Sequence, residues 1–152
     1  MTATLKKDLG KAGAFMDESG GYANQRLYDV LVELAHADIG LDAFQGTIAV
    51  ASIGGKIINR ACKLVGLRTS IDVCGTADST TVQVHLNGSA VTGAEATTAH
   101  DDADGTKQDV ELSSAVALAE GDYVELVVSA APTAGSNLAA TAVIKPDITV
   151  ET

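Results

Sequence analysis

From Thr47 onward, apolar and polar positions alternate with a period of two through most of the chain. The clearest stretch is Asp109 to Ala130, D-V-E-L-S-S-A-V-A-L-A-E-G-D-Y-V-E-L-V-V-S-A. In it Val124, Leu126 and Val128 fall on one side of an extended chain, and Tyr123, Glu125 and Ser129 on the other. That is the pattern of a half-buried β-strand, because successive side chains of a strand point to opposite faces. Leu118 is placed to close the core edge, while Glu120-Gly121-Asp122 turns the chain in solvent.

The same reading predicts strands over 47–53, 56–65, 69–74, 80–86, 90–92, 108–112, 123–130 and 138–145. Val82, Val84 and Leu86 alternate with Thr81, Gln83 and His85, and Asn87-Gly88 then supplies the two positive-φ residues of a type I′ hairpin turn. Residues 56–65 carry charge on both registers, which predicts a bulge or an edge position. Residues 75–79 and 97–106 read as polar loops. So many short strands at this spacing predict a mainly β chain, an antiparallel β-sandwich of jelly-roll-like type.

Ahead of the sandwich the period changes. In residues 24–39, Leu27, Val30, Leu31 and Leu34 follow helical spacing, Asn24 suits an N-cap and Gly40 a terminator. One short apolar stripe is marginal alone, so this N-terminal α-helix is expected to pack on the sandwich or on sister copies. Residues 1–21 lack such periodicity and hold Gly10, Gly13, Gly20 and Gly21 with the basic cluster Lys6, Lys7 and Lys11, which reads as a flexible arm, or as one ordered only against a partner. The predicted division is arm and helix over 1–45 and sandwich over 46–152. Lys6, Lys7, Lys11, Leu27, Leu31 and Leu34 are the expected partner-binding residues.

Charge sharpens this division. The chain carries −10 overall, but residues 1–70 hold eight Lys/Arg against seven Asp/Glu, and residues 71–152 hold two against thirteen. So acidic a second half repels phosphate, which argues against nucleic acid and anionic membranes as partners. Aromatic residues make up 3% and Trp is absent, so the usual anchors of small-molecule pockets and binding hot spots are scarce. The opening residues lack the apolar core of a signal peptide and no apolar run reaches membrane-spanning length, which predicts synthesis in a cytoplasm.

No motif points to catalysis. Cys62 and Cys74 have neither CxxC spacing nor paired histidines, so they are expected to be small buried thiols; a bridge becomes geometrically possible if the chain reverses near Arg68. Asp102, Asp104, Gly105 and Glu111 fall at calcium-loop offsets, but His100 occupies the first ligand position and the flanks read as strand, so a solvated acidic loop is expected. Asn87-Gly88-Ser89 is explained by its turn. Gly54-Gly55-Lys56 lacks the other glycine and the Ser/Thr of a phosphate loop, no GxSxG occurs, and His36, His85 and His100 sit on separate elements. The expectation is a non-enzyme with no cofactor and no metal.

The run Ala117–Val128, A-L-A-E-G-D-Y-V-E-L-V-V, resembles the strand entry L-x-x-G-D-x-V-x-L of trimeric jelly-roll modules of the C1q/TNF-like kind. Together with V-Q-V-H-L-N-G-S at 82–89, V-E-L at 110–112 and L-A-A-T-A-V-I at 138–144, it is also similar to accessory structural proteins of tailed bacteriophages. The resemblance covers residues 47–146 and brings no catalytic residues with it. It implies a virion structural protein on the capsid surface, made in the host cytoplasm. Its role would be that of a homotrimeric decoration (cement) protein stabilising the head shell, with the major capsid protein or another virion protein as partner. The alternative it implies is a receptor- or glycan-binding head-fibre or tail module, which exposed Trp or Tyr would favour.

Overall fold

A computed structural model describes residues 3–6 and 39–151. Ten strands follow one another: β1 (Ala3–Lys6), β2 (Leu41–Thr47), β3 (Ala51–Ile57), β4 (Cys62–Val73), β5 (Thr80–Leu86), β6 (Ser89–Thr98), β7 (Thr106–Leu118), β8 (Tyr123–Ala130), β9 (Ser136–Pro146) and β10 (Ile148–Glu151). Eight of them form two antiparallel four-stranded sheets, ordered β2-β9-β4-β7 and β3-β8-β5-β6. β1 and β10 make a separate parallel pair, with Ala3 opposite Ile148 and Lys6 opposite Glu151. From β2 to β9 only the β5–β6 hairpin stays within one sheet; every other connection crosses to the opposite one.

The core lies between the inner faces. Leu64, Leu67, Ile71, Leu138 and Ile144 come from the first sheet, and Val82, Val84, Val124, Leu126 and Val128 from the second, all fully buried. Each fully buried aliphatic side chain contributes about 1.5–3 kcal/mol of transfer free energy, so this aromatic-free layer is the main stabilising term. The β8 alternation is as expected, with Val124, Leu126 and Val128 inward and Ser129 in solvent. Leu118 is buried at the end of β7.

Strands 80–86 and 123–130 match the sequence reading at both ends. Asn87 and Gly88 turn with φ of 51° and 84°, joining Leu86 to its partner Ser89 as a tight hairpin. Elsewhere the boundaries need correction. The stretch expected as one strand over 47–53 breaks at 48–50, where the chain leaves one sheet for the other. Gln45 holds that corner: its amide donates to the Ala49 carbonyl and accepts from the Ala49 N–H, each at 3.1 Å. The sandwich therefore takes in β2 from Leu41, ahead of the boundary expected at residue 46.

Residues 56–65 and 69–74 also regroup. The first range ends the edge strand β3 and begins β4, and β4 then runs unbroken through Arg68 to Val73. A bulge between Leu64 and Gly66 explains why alternation failed there. Leu64 and Leu67 are three apart, which in a regular strand sends them to opposite faces; one extra residue lets both point inward. Gly66 is required at the bulge, since a Cβ would lie 2.6 Å from the Val110 carbonyl oxygen. The edge strands β6 and β7 outrun the expected 90–92 and 108–112 because polar residues on their outer faces meet water and do not interrupt pairing.

The chain does not reverse near Arg68, so Cys62 and Cys74 stand beyond bridging distance at opposite ends of β4. By strand rise they are roughly 35–40 Å apart, far outside the ~7 Å a disulfide spans. Both are free and buried, as expected of small core thiols. The helix expected over 24–39 lies outside the described residues except for Ile39, which leads into β2 with its N–H donating to the Ile144 carbonyl at 2.6 Å. Of the arm expected to be flexible, residues 3–6 form β1 against the chain's own β10.

Candidate functional site

Strand direction gives the sandwich two distinct ends. β2, β4, β6 and β8 alternate in direction with β3, β5, β7 and β9. One end, where Ile39 brings in the N-terminal segment and β10 departs, carries the connections 58–61, 87–88 and 119–122. The far end carries 48–50, 74–79, 99–105 and 131–135.

Charge divides along this axis. The far-end connections hold Asp78, Asp101, Asp102 and Asp104 with no Lys or Arg. Four of the six Lys and Arg in residues 39–151 (Lys56, Arg60, Lys63 and Lys145) gather at the entry end, facing Glu120, Asp122 and Asp147. Lys63 pairs with Asp147 there at 2.7 Å. An imbalance legible in the sequence only as two halves of the chain thus becomes an end-to-end polarity.

Hydrogen bonds shape both ends. At the far end Asp104 accepts from the Cys74 N–H at 3.1 Å and Asp102 from the Ala99 N–H at 2.9 Å, so both carboxylates of the calcium-like sequence are engaged in holding the loop. Glu111 sits on β7 opposite Gly66, away from that loop. Among the described residues no cluster of three or more His, Cys, Asp and Glu is placed to hold a metal ion. At the entry end Asp122 receives hydrogen bonds from the Asn87 amide and the Ala119 N–H, which hold its carboxyl below the ordinary range. Burial pushes both thiols, Cys62 and Cys74, above their ordinary range, so neither is an activated nucleophile.

The outer faces of the two sheets differ. On β3-β8-β5-β6, Ser52 donates to Glu125, Gln83 donates to Glu95, and His85 Nε2 lies 3.3 Å from Gln83 Oε1. Because the Gln83 amide nitrogen is committed to Glu95, its oxygen accepts and His85 Nε2 is the donor. On β2-β9-β4-β7, the row Asp42, Thr141, Arg68 and Asp109 crosses all four strands. Thr141 donates to Asp42 at 2.7 Å and Arg68 Nε pairs with Asp109 at 3.2 Å.

Of the residues expected to bind a partner, Lys6 lies on β1 opposite Glu151, while Lys7, Lys11, Leu27, Leu31 and Leu34 lie outside the described residues. Sequence reasoning did not single out the exposed apolar side chains Phe44 (66%), Val50 (65%) and Ile57 (67%), all on or between β2 and β3, nor Tyr123 beside Ile57 on β8. The period-2 pattern places Tyr123 outward, but exposure of the others depends on which strands are edges, which periodicity does not encode.

No model of a known protein family matches the chain, and no curated protein matches it. Among the described residues no helix is long and apolar enough to cross a membrane.

Proposed function

We propose that this chain is a virion structural protein: a capsid decoration protein of a tailed bacteriophage, displayed on the head surface as a homotrimer after synthesis in the host cytoplasm. The observation that carries the reading is the polarity of the sandwich. Its uncompensated aspartates lie at the end opposite the one where the N-terminal segment joins, and most of its cations lie at the joining end. A module with one end docked and one end in water needs this arrangement, since the acidic end stays soluble and repels neighbouring copies.

The strand orders β2-β9-β4-β7 and β3-β8-β5-β6 support reading the sandwich as a jelly roll, an architecture that recurs in viral capsid and lectin domains. In this reading Lys6, Lys7 and Lys11 attract the segment to an acidic shell, and Leu27, Leu31 and Leu34 bury against the sandwich or sister chains. Exposed Ile57 and Tyr123 at the entry end add apolar surface for the same contacts. Linked arms in a trimer gain avidity through effective concentration.

The test uses particles of the virus that encodes the chain, prepared without it. Purified protein should sediment with them at saturating, symmetric occupancy and dissociate as salt rises. Lys7→Glu with Lys11→Glu should lower occupancy while leaving the melting temperature unchanged. Failure to co-sediment would overturn decoration. Full occupancy by the charge-reversed variant would move attachment from the arm to the sandwich.

A further inference from the structure

We infer that copies of this chain meet on the β2–β3 flank of the sandwich, three of them around an axis parallel to the strands. Phe44 of one copy packs against Ile57 and Tyr123 of the next. The inference rests on the homotrimer proposed above and assigns its contact surface. β2 and β3 are edge strands of different sheets that close one side of the sandwich, where a β-carbon added at Gly54 would come within 3.0 Å of the Ala43 methyl. Each keeps a free backbone edge on this flank. Among the described residues the exposed large apolar side chains gather here: Phe44, Val50 and Ile57 lie along the flank, and Tyr123 adjoins Ile57 on β8.

Charge selects a second copy as the occupant. Residues 39–151 hold six Lys/Arg against fourteen Asp/Glu, yet residues 41–57 hold only Asp42 and Lys56, which cancel. Identical acidic bodies repel each other, so their closest approach is favoured where the surface is neutral and apolar. The opposite flank, β6 and β7, carries Glu95, Lys107, Asp109 and Glu111, charges of the kind that keep an edge unpaired.

Placement selects the symmetry. Ala43 packs on the core, so Phe44 stands on the outer face of β2-β9-β4-β7. Ile57 is the register partner of Tyr123, which precedes the buried Val124, so both stand on the outer face of the other sheet. The flank thus has two apolar shoulders on opposite faces. The Tyr123 ring lies across Gly55, where a β-carbon would collide with it. With Gly54 at the level of Ala43, Gly55 and Phe44 are two strand steps apart, about 7 Å. Two copies meeting edge to edge about an axis along the strands would leave unlike shoulders side by side in one plane, still in water. A threefold axis inclines the Phe44 shoulder of each copy onto the Ile57–Tyr123 shoulder of the next, a heterologous contact that closes into a ring. The free edges of β2 and β3 then face the axis, closed to other chains.

Light scattering on the full chain should give the mass of a trimer. Phe44→Glu should give a monomer with an unchanged far-ultraviolet spectrum, since the ring stands in solvent in the single chain. Phe44→Leu, and Thr92→Glu on the opposite flank, should stay trimeric. Cross-linking reads the pairing of unlike shoulders, because the native Cys62 and Cys74 are buried. One exposed cysteine per chain joins two chains at most. Phe44→Cys combined with Ile57→Cys should therefore give covalent trimers with a short bis-maleimide, and each single variant dimers at most. A monomeric wild type overturns the homotrimer and this inference together. A wild-type trimer that survives Phe44→Glu, or a double variant whose cross-linking stops at dimers, overturns this surface and leaves the homotrimer standing. Sedimentation with virus particles reads decoration separately.

Discussion

Asn87 and Asp122, thirty-five residues apart, lock two turns of the entry end together. The Asn87 amide donates to Asp122 Oδ1 at 2.9 Å while its oxygen accepts from the Tyr123 N–H at 2.9 Å. Asn87 is thus both the positive-φ residue of the β5–β6 hairpin and the clasp on the β7–β8 turn. Asp122 answers with a second bond, accepting from the Ala119 N–H at 2.7 Å.

This clasp makes stability depend on acid. The Asn87 hydrogen bond, followed by that from Ala119, lowers the Asp122 carboxyl below its ordinary 3.8. A carboxyl with a depressed folded-state pKa contributes stability that is fully present above the unfolded value and lost as pH falls through the folded one. The margin of the wild type over Asp122→Asn should therefore be constant from neutral pH down to about 4 and vanish below it. Melting curves from pH 7 to pH 2 check this; a margin that persists at the acid end excludes it.

Asn87→Ala removes both hydrogen bonds and leaves at φ 51° a residue that tolerates the left-handed region less well than Asn. A loss of about 1–2 kcal/mol is expected. Asn87→Gly should be milder because it keeps the turn and loses only the clasp. Chemical denaturation of the two variants separates turn geometry from side-chain bonding.

Leu126, fully buried on β8 between strands β3 and β5, tests the core reading. Leu126→Ala should cost about 2–5 kcal/mol. Val127→Thr, on the next residue and the outer face, should stay within about 0.5 kcal/mol. Similar costs at both positions would contradict the assignment of faces.

Thr80 makes the opposite case. Its side chain is buried, and its hydroxyl has no hydrogen-bond partner among the described residues. Valine keeps the shape and removes the unsatisfied group, so Thr80→Val should raise stability by about 1 kcal/mol. A destabilised variant would reveal a partner for the hydroxyl.

Cys62 and Cys74 should react with a thiol reagent only as fast as the protein opens, both being buried thiols with pKa values raised chiefly by burial. Two thiols should titrate in denaturant and none promptly in the native state. Rapid native labelling at either position would show that end of β4 to be open.

Much of this architecture was written in local pattern. Alternation named the inner residues of β5 and β8, and Asn87-Gly88 named the hairpin, because a strand's two faces and a turn's φ angles are set by adjacent residues. Alternation failed at β4, where the bulge at Val65 and Gly66 lets Leu64 and Leu67 share one face. It failed again at 47–53, where a corner held by Gln45 looks in sequence like continuous strand. The acidic surplus of residues 71–152 was plain, but not that its loop aspartates converge at one end, since that depends on which connections the two sheets bring together. Likewise Phe44, Ser70 and Lys107 are scattered in sequence and form one row only through the pairing of β2, β9, β4 and β7. Periodicity is a property of neighbours along the chain and fixes which side chains are oily-side or water-side. Edges, ends and rows are properties of strand order, and strand order is decided by packing two sheets around one core.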